Sequence, residues 1–140
     1  EIINLHIQKN LIGSSLAHTI GGNNCNASNI VAGLFLATGQ DCGQIGTSSY
    51  CIINMNKEDE DLLVTINMPS MELATIGGGT RLEDQMNNLK IIHSGESFDV
   101  KFLGKNIIYS VLACELSLMS ALCNDDLIKA HLKLIRGLKY

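Results

Sequence analysis

The sequence predicts a mixed α+β fold in which helices pack with a short antiparallel sheet. Several stretches carry apolar residues at a period near 3.6, which is typical of helices with a buried face. Residues 50–55 and 62–68 are instead rich in β-branched and other apolar residues, and the acidic run 58–61 separates them. We interpret these two stretches as paired strands joined by a solvated loop.

Two helices are predicted before the strands. Small residues lie among apolar ones in residues 11–20, which suits a helix packed closely on a neighbour, and Gly21 and Gly22 end it. Asn29 is a suitable cap for a second helix, whose apolar residues keep the 3.6 period until Gly39 ends it.

Shorter elements and two further helices follow. Pro69 closes the second strand because it cannot donate a ladder hydrogen bond, and residues 71–76 are predicted to be a short extended piece. Residues 81–92 are predicted to be helical. The longest helical pattern covers residues 107–123 and is apolar on more than one face, so this helix belongs in an interior or an interface. A polar cap then starts a last helix.

Charge and cysteine content exclude several classes of protein. Ten Lys and Arg residues against fourteen Asp and Glu residues give a net charge of −4, which disfavours binding to nucleic-acid phosphates. The five cysteines are odd in number and form no C-x-x-C pair, which argues against a disulfide framework and a zinc site. We therefore expect no nucleic-acid partner and no metal, and cysteines that are small core residues in a reducing compartment.

We also expect this segment not to contact a membrane. It has no uncharged run of about 18 apolar residues, and its start lacks the pattern of a signal peptide. A chain of 140 residues has room for one core. The unmarked start at Glu1 and the equally unmarked end favour a single partial domain, residues 1–140, cut from a longer protein.

Chemically useful residues stand in five short islands, each flanked by glycines or apolar residues that would hold them in place. In chain order these are residues 9–11 (KNL), 39–41 (GQD), 68–72 (MPSME), 77–80 (GGGT) and 115–119 (ELSLM), with His131 one helix later. A domain without a site has no need of that combination five times. The sequence therefore predicts an enzyme.

The islands and their neighbours carry a resemblance to a known family. The longer motifs are KNLIGS at 9–14, IGG at 20–22, ASNIV at 27–31, MPS at 68–70 and TIGGGT at 75–80. In order and spacing the chain resembles the C-terminal portion of the large catalytic domain of eukaryotic-type hydroxymethylglutaryl-coenzyme A (HMG-CoA) reductase. The resemblance implies the α+β fold of that large domain, without the small NADP-binding domain.

The resemblance also implies an activity and a setting. In that family HMG-CoA is reduced with two NADPH to mevalonate and coenzyme A, for isoprenoid and sterol biosynthesis. Members form homodimers through the large domain, with active sites that straddle two subunits. By resemblance to animal members, the parent protein would be anchored in the endoplasmic reticulum membrane, on its cytosolic face.

Thioester reduction needs groups that manage charge and protons. Hydride addition leaves negative charge on the carbonyl oxygen, and the departing thiolate must take up a proton. In the family an aspartate tunes the lysine that serves the oxygen, and a histidine protonates the thiolate; Asp41 and His131 match these two residues. Lys9 matches the lysine that holds the free carboxylate of the HMG group, and we include it among the catalytic residues.

Further positions match the substrate pocket. Asn29 matches a polar residue of the pocket that Lys9 serves, although an Asn here also suits a helix cap. Leu118, Ala121 and Leu122 match an apolar shelf beside the substrate, and Leu at this spacing is equally typical of a core.

The glycine loop matches a cofactor contact. Gly77, Gly78, Gly79 and Thr80 would let the backbone approach a bulky ligand and offer N–H groups to an anion. A glycine triplet alone is more often an ordinary turn. In the family this loop lies against the dinucleotide, which implies NADPH as the cofactor.

The chain also departs from the family. Asn26 stands where a histidine is usual, and Gly137 stands where animal members carry a regulatory serine. The upstream catalytic glutamate, the loop with the catalytic lysine and the nucleotide-binding turn have no counterpart here. We therefore expect a chain that supplies part of an active site and completes no turnover alone.

Two other interpretations stay open. The islands could be structural, in a non-catalytic interaction module whose apolar helices pack on a partner. The glycine triplet could instead belong to a phosphate-binding domain, which NADPH and ATP titrations would distinguish.

Overall fold

The structure is a computed structural model that describes residues 1–94 and 99–134. In chain order its elements are α1 (Ile2–His6), a π-helical segment (Ile7–Gly13), α2 (Ser14–Leu16), β1 (Gly22–Asn23), α3 (Ala27–Thr38), a 3-10 turn (Cys42–Gln44), α4 (Ile45–Ser48), β2 (Cys51–Glu58), β3 (Asp61–Asn67), a second 3-10 turn (Gly78–Arg81), α5 (Glu83–His93), α6 (Val100–Cys123) and α7 (Asp126–Leu134). Helices packed with one short sheet confirm the predicted α+β class.

The sheet has three strands in the order β1-β2-β3. The predicted antiparallel pair is confirmed, with Ile52 opposite Asn67 and Glu58 opposite Asp61. The strands extend further into the acidic run than expected and leave a two-residue turn, in which Asp59 is left-handed (φ 52°). The parallel strand β1 was not predicted, because two residues are too short for a periodic signal. The sheet is therefore mixed rather than purely antiparallel.

The core lies between the sheet, α3 and α6. Alternate residues of β2 are buried, namely Cys51, Ile53 and Met55, so one face of this strand packs inward. The buried residues of the long helix α6 recur at every fourth position: Leu103, Ile107, Val111, Glu115 and Met119. These residues form a single stripe that contacts the core.

Helices α3 and α6 run in opposite directions. The residues just before α3 contact Glu115, in the second half of α6. The other end of α3 contacts α5 through Asn88, whose side chain donates to the carbonyl oxygen of Ala37. Helix α5 ends at His93, whose ring lies 5.4 Å from that of Phe102 in the first turn of α6. The start of α3 thus lies beside the late part of α6.

Predicted boundaries were wrong at three helices, including α6, which begins at Val100 and not at residue 107. The first helical region starts at Ile2 and ends at Leu16, so residues 17–20 are not helical. Helix α3 begins at Ala27, which places Asn29 in its first turn instead of at its cap. Residues 71–76, predicted as a short extended piece, belong to no strand, and side chains such as Gln40 hold the segment. Gly39, by contrast, ends α3 in the left-handed conformation as predicted.

Helix α6 is long and apolar enough to cross a membrane by length and composition alone. Long helices in the cores of soluble proteins can have the same length and apolar composition. Here the helix buries one stripe against the core and carries a charged residue, Glu115, in that stripe. Its other faces remain largely uncovered, as at Tyr109, which is 65% exposed.

Candidate functional site

The predicted site residues fall at the two ends of α3. Lys9 and Asn29 lie near its start, whereas Asp41 and the glycine loop lie beyond its end at Gly39. A helix of 12 residues is about 18 Å long. The two ends of α3 are therefore separate parts of the candidate site.

At the start of α3, a buried carboxylate receives backbone N–H groups. Glu115 is completely buried, and its two carboxylate oxygens lie 2.8 and 3.0 Å from the Cys25 nitrogen. The Asn26 N–H also donates to one of these oxygens, at 2.6 Å. No side chain caps α3 from within the helix, but Asn24 accepts the N–H of Ala27 at 3.1 Å. Side chains from outside the helix thus hold its first donors.

The Cys25 thiol joins this carboxylate to the first helical region. Its sulfur lies 3.2 Å from Asn10 Oδ1 and 3.2 Å from the sulfur of Met119. Burial raises the pKa of the Cys25 thiol; the neighbouring ammonium of Lys9 opposes this shift and the charge of Glu115 adds to it. Lys9 is exposed, so its charged group borders the network while remaining open to a ligand.

A π-helical segment carries both Lys9 and its buried neighbour Asn10. Lys9 and Asn10 both lie in the π-helical segment Ile7–Gly13. π-helical turns are rare in proteins, and those that occur are often found at functional sites. Asn10 is completely buried, and its amide nitrogen lies 3.2 Å from Nδ1 of His6. Burial lowers the pKa of His6, an effect that an interaction with the Ile53 backbone partly opposes.

Other predicted pocket residues lie on the same side of the molecule. Asn29 is exposed in the first turn of α3, and Leu118, Ala121 and Leu122 are half-buried in the second half of α6. The amide oxygen of Asn26 is enclosed and has no hydrogen-bond partner among the described residues. Asn26, which stands where the family usually has a histidine, thus lies directly before α3, between Cys25 and Asn29 in sequence.

At the other end of α3, two loops frame an open cavity of about 530 Å³. Asp41 and Gln40 line it from one side, and residues 77–80 line it from the other. The Asp41 carboxylate is exposed and accepts the N–H of Gly43 at 2.9 Å, which caps the 3-10 turn. Thr80 is buried, and its hydroxyl donates to the carbonyl oxygen of Gly77, which fixes the shape of the loop.

The structure does not bring Asp41 and His131 together within one chain. His131 is exposed on α7, which begins three residues after α6 ends. Because α3 and α6 are antiparallel, α7 starts on the side of Lys9 and Asn29. Asp41 lies beyond the opposite end of α3. The roles predicted for Asp41, His131 and Lys9 remain predictions.

Sequence patterns did not predict individual roles for Glu115, Cys25 or Asn10. A signal for Glu115 was present, since it is the only charged residue in the apolar stretch 107–123. A lone carboxylate in such a helix is almost never buried without partners. Asn10 and Cys25 carried no such signal, because only the fold brings residues 15 and 94 positions apart into contact.

Comparison with known proteins gives a consistent family. The family model described as hydroxymethylglutaryl-coenzyme A reductase matches residues 1–136. The chain is 48% identical to 3-hydroxy-3-methylglutaryl-coenzyme A reductase 1 of Dictyostelium discoideum, over 97% of the chain and 26% of that protein. It is 41% identical to reductase 1 of Solanum tuberosum, over 99% of the chain and 24% of that protein.

A fungal relative gives the same result. The chain is 42% identical to the 3-hydroxy-3-methylglutaryl-coenzyme A reductase of Schizosaccharomyces pombe, over 98% of the chain and 14% of that protein. The chain thus spans about a quarter or less of the length of these curated relatives. On these matches, the chain belongs to the hydroxymethylglutaryl-coenzyme A reductase family.

Proposed function

We propose that this chain forms part of the active site of an NADPH-dependent reductase that converts HMG-CoA to mevalonate and coenzyme A. The observation that carries the proposal is the clustering of Lys9 and Asn29 at the start of α3 around a buried polar network. An exposed ammonium and an exposed amide at the same end of a helix are a suitable receptor for the free carboxylate of the HMG group.

The two ends of α3 would have different roles in the reaction. Lys9 and Asn29 would hold the substrate carboxylate, and His131 on the same side would give a proton to the departing thiolate. Asp41, at the other end, would orient and tune the cation that polarises the thioester carbonyl. That cation would come from residues outside this chain, so we propose that the chain alone is inactive.

The cavity beyond Gly39 is the proposed site for the dinucleotide. Its volume of about 530 Å³ is in the range of ligand pockets, and its lining includes Gly39 and the three glycines of the loop, residues 77–79. A Cβ added at Gly77 or Gly78 would meet no atom within 4 Å, so this edge of the cavity is open. NADPH bound here would supply the hydride, while residues 77–80 would position it through their backbone.

The separation of Asp41 from Lys9 supports a site shared by two copies. One copy would contribute the Asp41 end, and its partner would contribute the end with Lys9, Asn29 and His131. Such an arrangement requires a homodimer with two equivalent sites. We place that dimer at the cytosolic face of the endoplasmic reticulum, because the parent protein resembles animal members of the family.

The test uses a chimera in which this chain replaces the matching segment of the Dictyostelium discoideum reductase. Asp41→Asn and His131→Gln should each lower kcat by roughly 10²-fold or more, since acid–base groups commonly contribute that much. Asp84→Asn and His18→Asn, at exposed positions outside the site, serve as matched controls. If Asp41→Asn and His131→Gln leave kcat unchanged, the non-catalytic interaction module is favoured instead.

Complementation tests the shared site. When Asp41→Asn and His131→Gln subunits are mixed equally, half of the dimers contain one intact site, so about a quarter of the wild-type activity should return. Mixtures that stay as inactive as either variant alone would contradict a site built from two copies.

A further inference from the structure

Among the described residues, Glu115 is a buried carboxylate that forms no ion pair. It is 0% exposed, and within residues 1–94 and 99–134 the ion pairs are Lys57 with Glu60 and Lys129 with Asp126. A buried carboxylate is costly unless it is hydrogen-bonded. Glu115 meets this requirement with two backbone N–H groups, those of Cys25 and Asn26.

These hydrogen bonds join two parts of the chain that are distant in sequence, directly before α3 begins. Cys25 and Asn26 directly precede α3, and Glu115 lies 90 residues away on α6. No side chain of α3 itself caps its N-terminus. The carboxylate therefore ties the start of α3 to the second half of α6.

The position of Asn29 depends on this contact. Asn29 follows Asn26 by three residues and lies in the first turn of α3, whose start the carboxylate holds. The thiol of Cys25 borders Lys9 and contacts Asn10 in the π-helical segment. A shift of the 25–26 backbone would thus move Asn29 and Lys9 relative to each other.

We propose that Glu115 is a positioning residue, which fixes the distance between Lys9 and Asn29 by holding the backbone of Cys25 and Asn26. The ligand at that end is the free carboxylate of the acyl substrate, so this inference rests on the proposed function. Glu115 touches neither substrate nor cofactor. Its loss should weaken acyl-substrate binding and leave NADPH binding unchanged, because the glycine loop lies at the other end of α3.

The first measurement needs no activity. Glu115→Leu removes both acceptors, whereas Glu115→Gln keeps one carbonyl oxygen that can accept both N–H groups. Amide hydrogen exchange of this chain should be at least tenfold faster at Cys25 and Asn26 in Glu115→Leu than in the wild type, with Glu115→Gln in between. Val111→Ala, a cavity variant one turn earlier in the same buried stripe, should leave these two amides protected.

The second measurement uses the chimera. Glu115→Leu should raise the KM for HMG-CoA roughly tenfold or more and leave the KM for NADPH unchanged, with a smaller rise for Glu115→Gln. Val111→Ala should lower the melting temperature without changing either KM. An HMG-CoA KM that stays at the wild-type value in both Glu115 variants, or rises equally in Val111→Ala, would overturn the inference.

The two proposals fail in different ways. Full turnover in Asp41→Asn and His131→Gln would contradict the proposed function. A wild-type KM for HMG-CoA in the Glu115 variants, or unchanged exchange at Cys25 and Asn26, would contradict the positioning role, while Asp41→Asn and His131→Gln still lower kcat by roughly 10²-fold or more.

Discussion

Gly39 and Gly79 lie backbone against backbone. A Cβ built on Gly79 would lie 2.8 Å from the carbonyl oxygen of Gly39, and one built on Gly39 would overlap the carbonyl of Gly79. Gly39 also has a φ of 71°, a conformation that other residues rarely adopt. This close approach holds the Asp41 turn against the glycine loop and so creates the cavity between them.

Gly39→Ala should therefore lower the free energy of unfolding by more than about 1–2 kcal/mol, because left-handed strain adds to the overlap. Gly33→Ala is the matched control, since Gly33 lies inside α3 with no atom within 4 Å of an added Cβ. That change should stabilise by about 0.5–1 kcal/mol. Urea unfolding measures both values, and equal effects of the two substitutions would refute the close approach.

Gln40 joins the same turn to residue 74. Its side chain accepts the N–H of Ala74 at 2.8 Å and donates to the carbonyl oxygen of Ala74 at 2.9 Å. Gln40→Glu would place a carboxylate oxygen against that carbonyl, so we expect a loss of about 1–3 kcal/mol. Gln44→Glu is the control, because the Gln44 side-chain oxygen acts there as an acceptor, from Thr47. Chemical unfolding should show a change within about 0.5 kcal/mol for the control.

Cys51 should make stability fall at alkaline pH. Burial, with a smaller contribution from the charge of Glu115, raises the pKa of the Cys51 thiol from 9.0 to about 12. The folded state keeps a proton that the unfolded chain releases, so this stabilisation is complete below pH 9 and is lost as pH rises towards 12. Stability measured from pH 8 to 11 should decline less steeply in Cys51→Ala, and parallel curves would contradict the prediction.

His6 should make stability fall at acidic pH. Burial lowers the pKa of His6 below 6.5, so the unfolded chain binds a proton more readily than the folded one. The stabilisation is present above pH 6.5 and is lost as pH falls. His6→Gln should flatten the curve between pH 6.5 and 5, measured by urea unfolding at each pH. An unchanged slope would show that His6 does not contribute.

Local sequence signals determined most of the secondary structure. The hairpin of β2 and β3, the end of α3 at Gly39 and the long helix α6 all follow from periodicity and glycine chemistry, which act over a few residues. Boundaries were predicted less well where distant groups decide them. Helix α3 begins at Ala27 and not after Asn29, because Glu115 from α6 and Asn24 hold its first donors.

The sequence by itself determined the fold class, the family and the motifs that carry the chemistry, since residue types and their order suffice for these. Only the tertiary structure decided how the motifs are arranged. It places Lys9 and Asn29 at one end of α3 and Asp41 at the other, and it buries Glu115 of α6 against the backbone of Cys25, 90 residues away in sequence. Burial and long-range hydrogen bonds depend on the packing of the whole chain, which no local pattern contains.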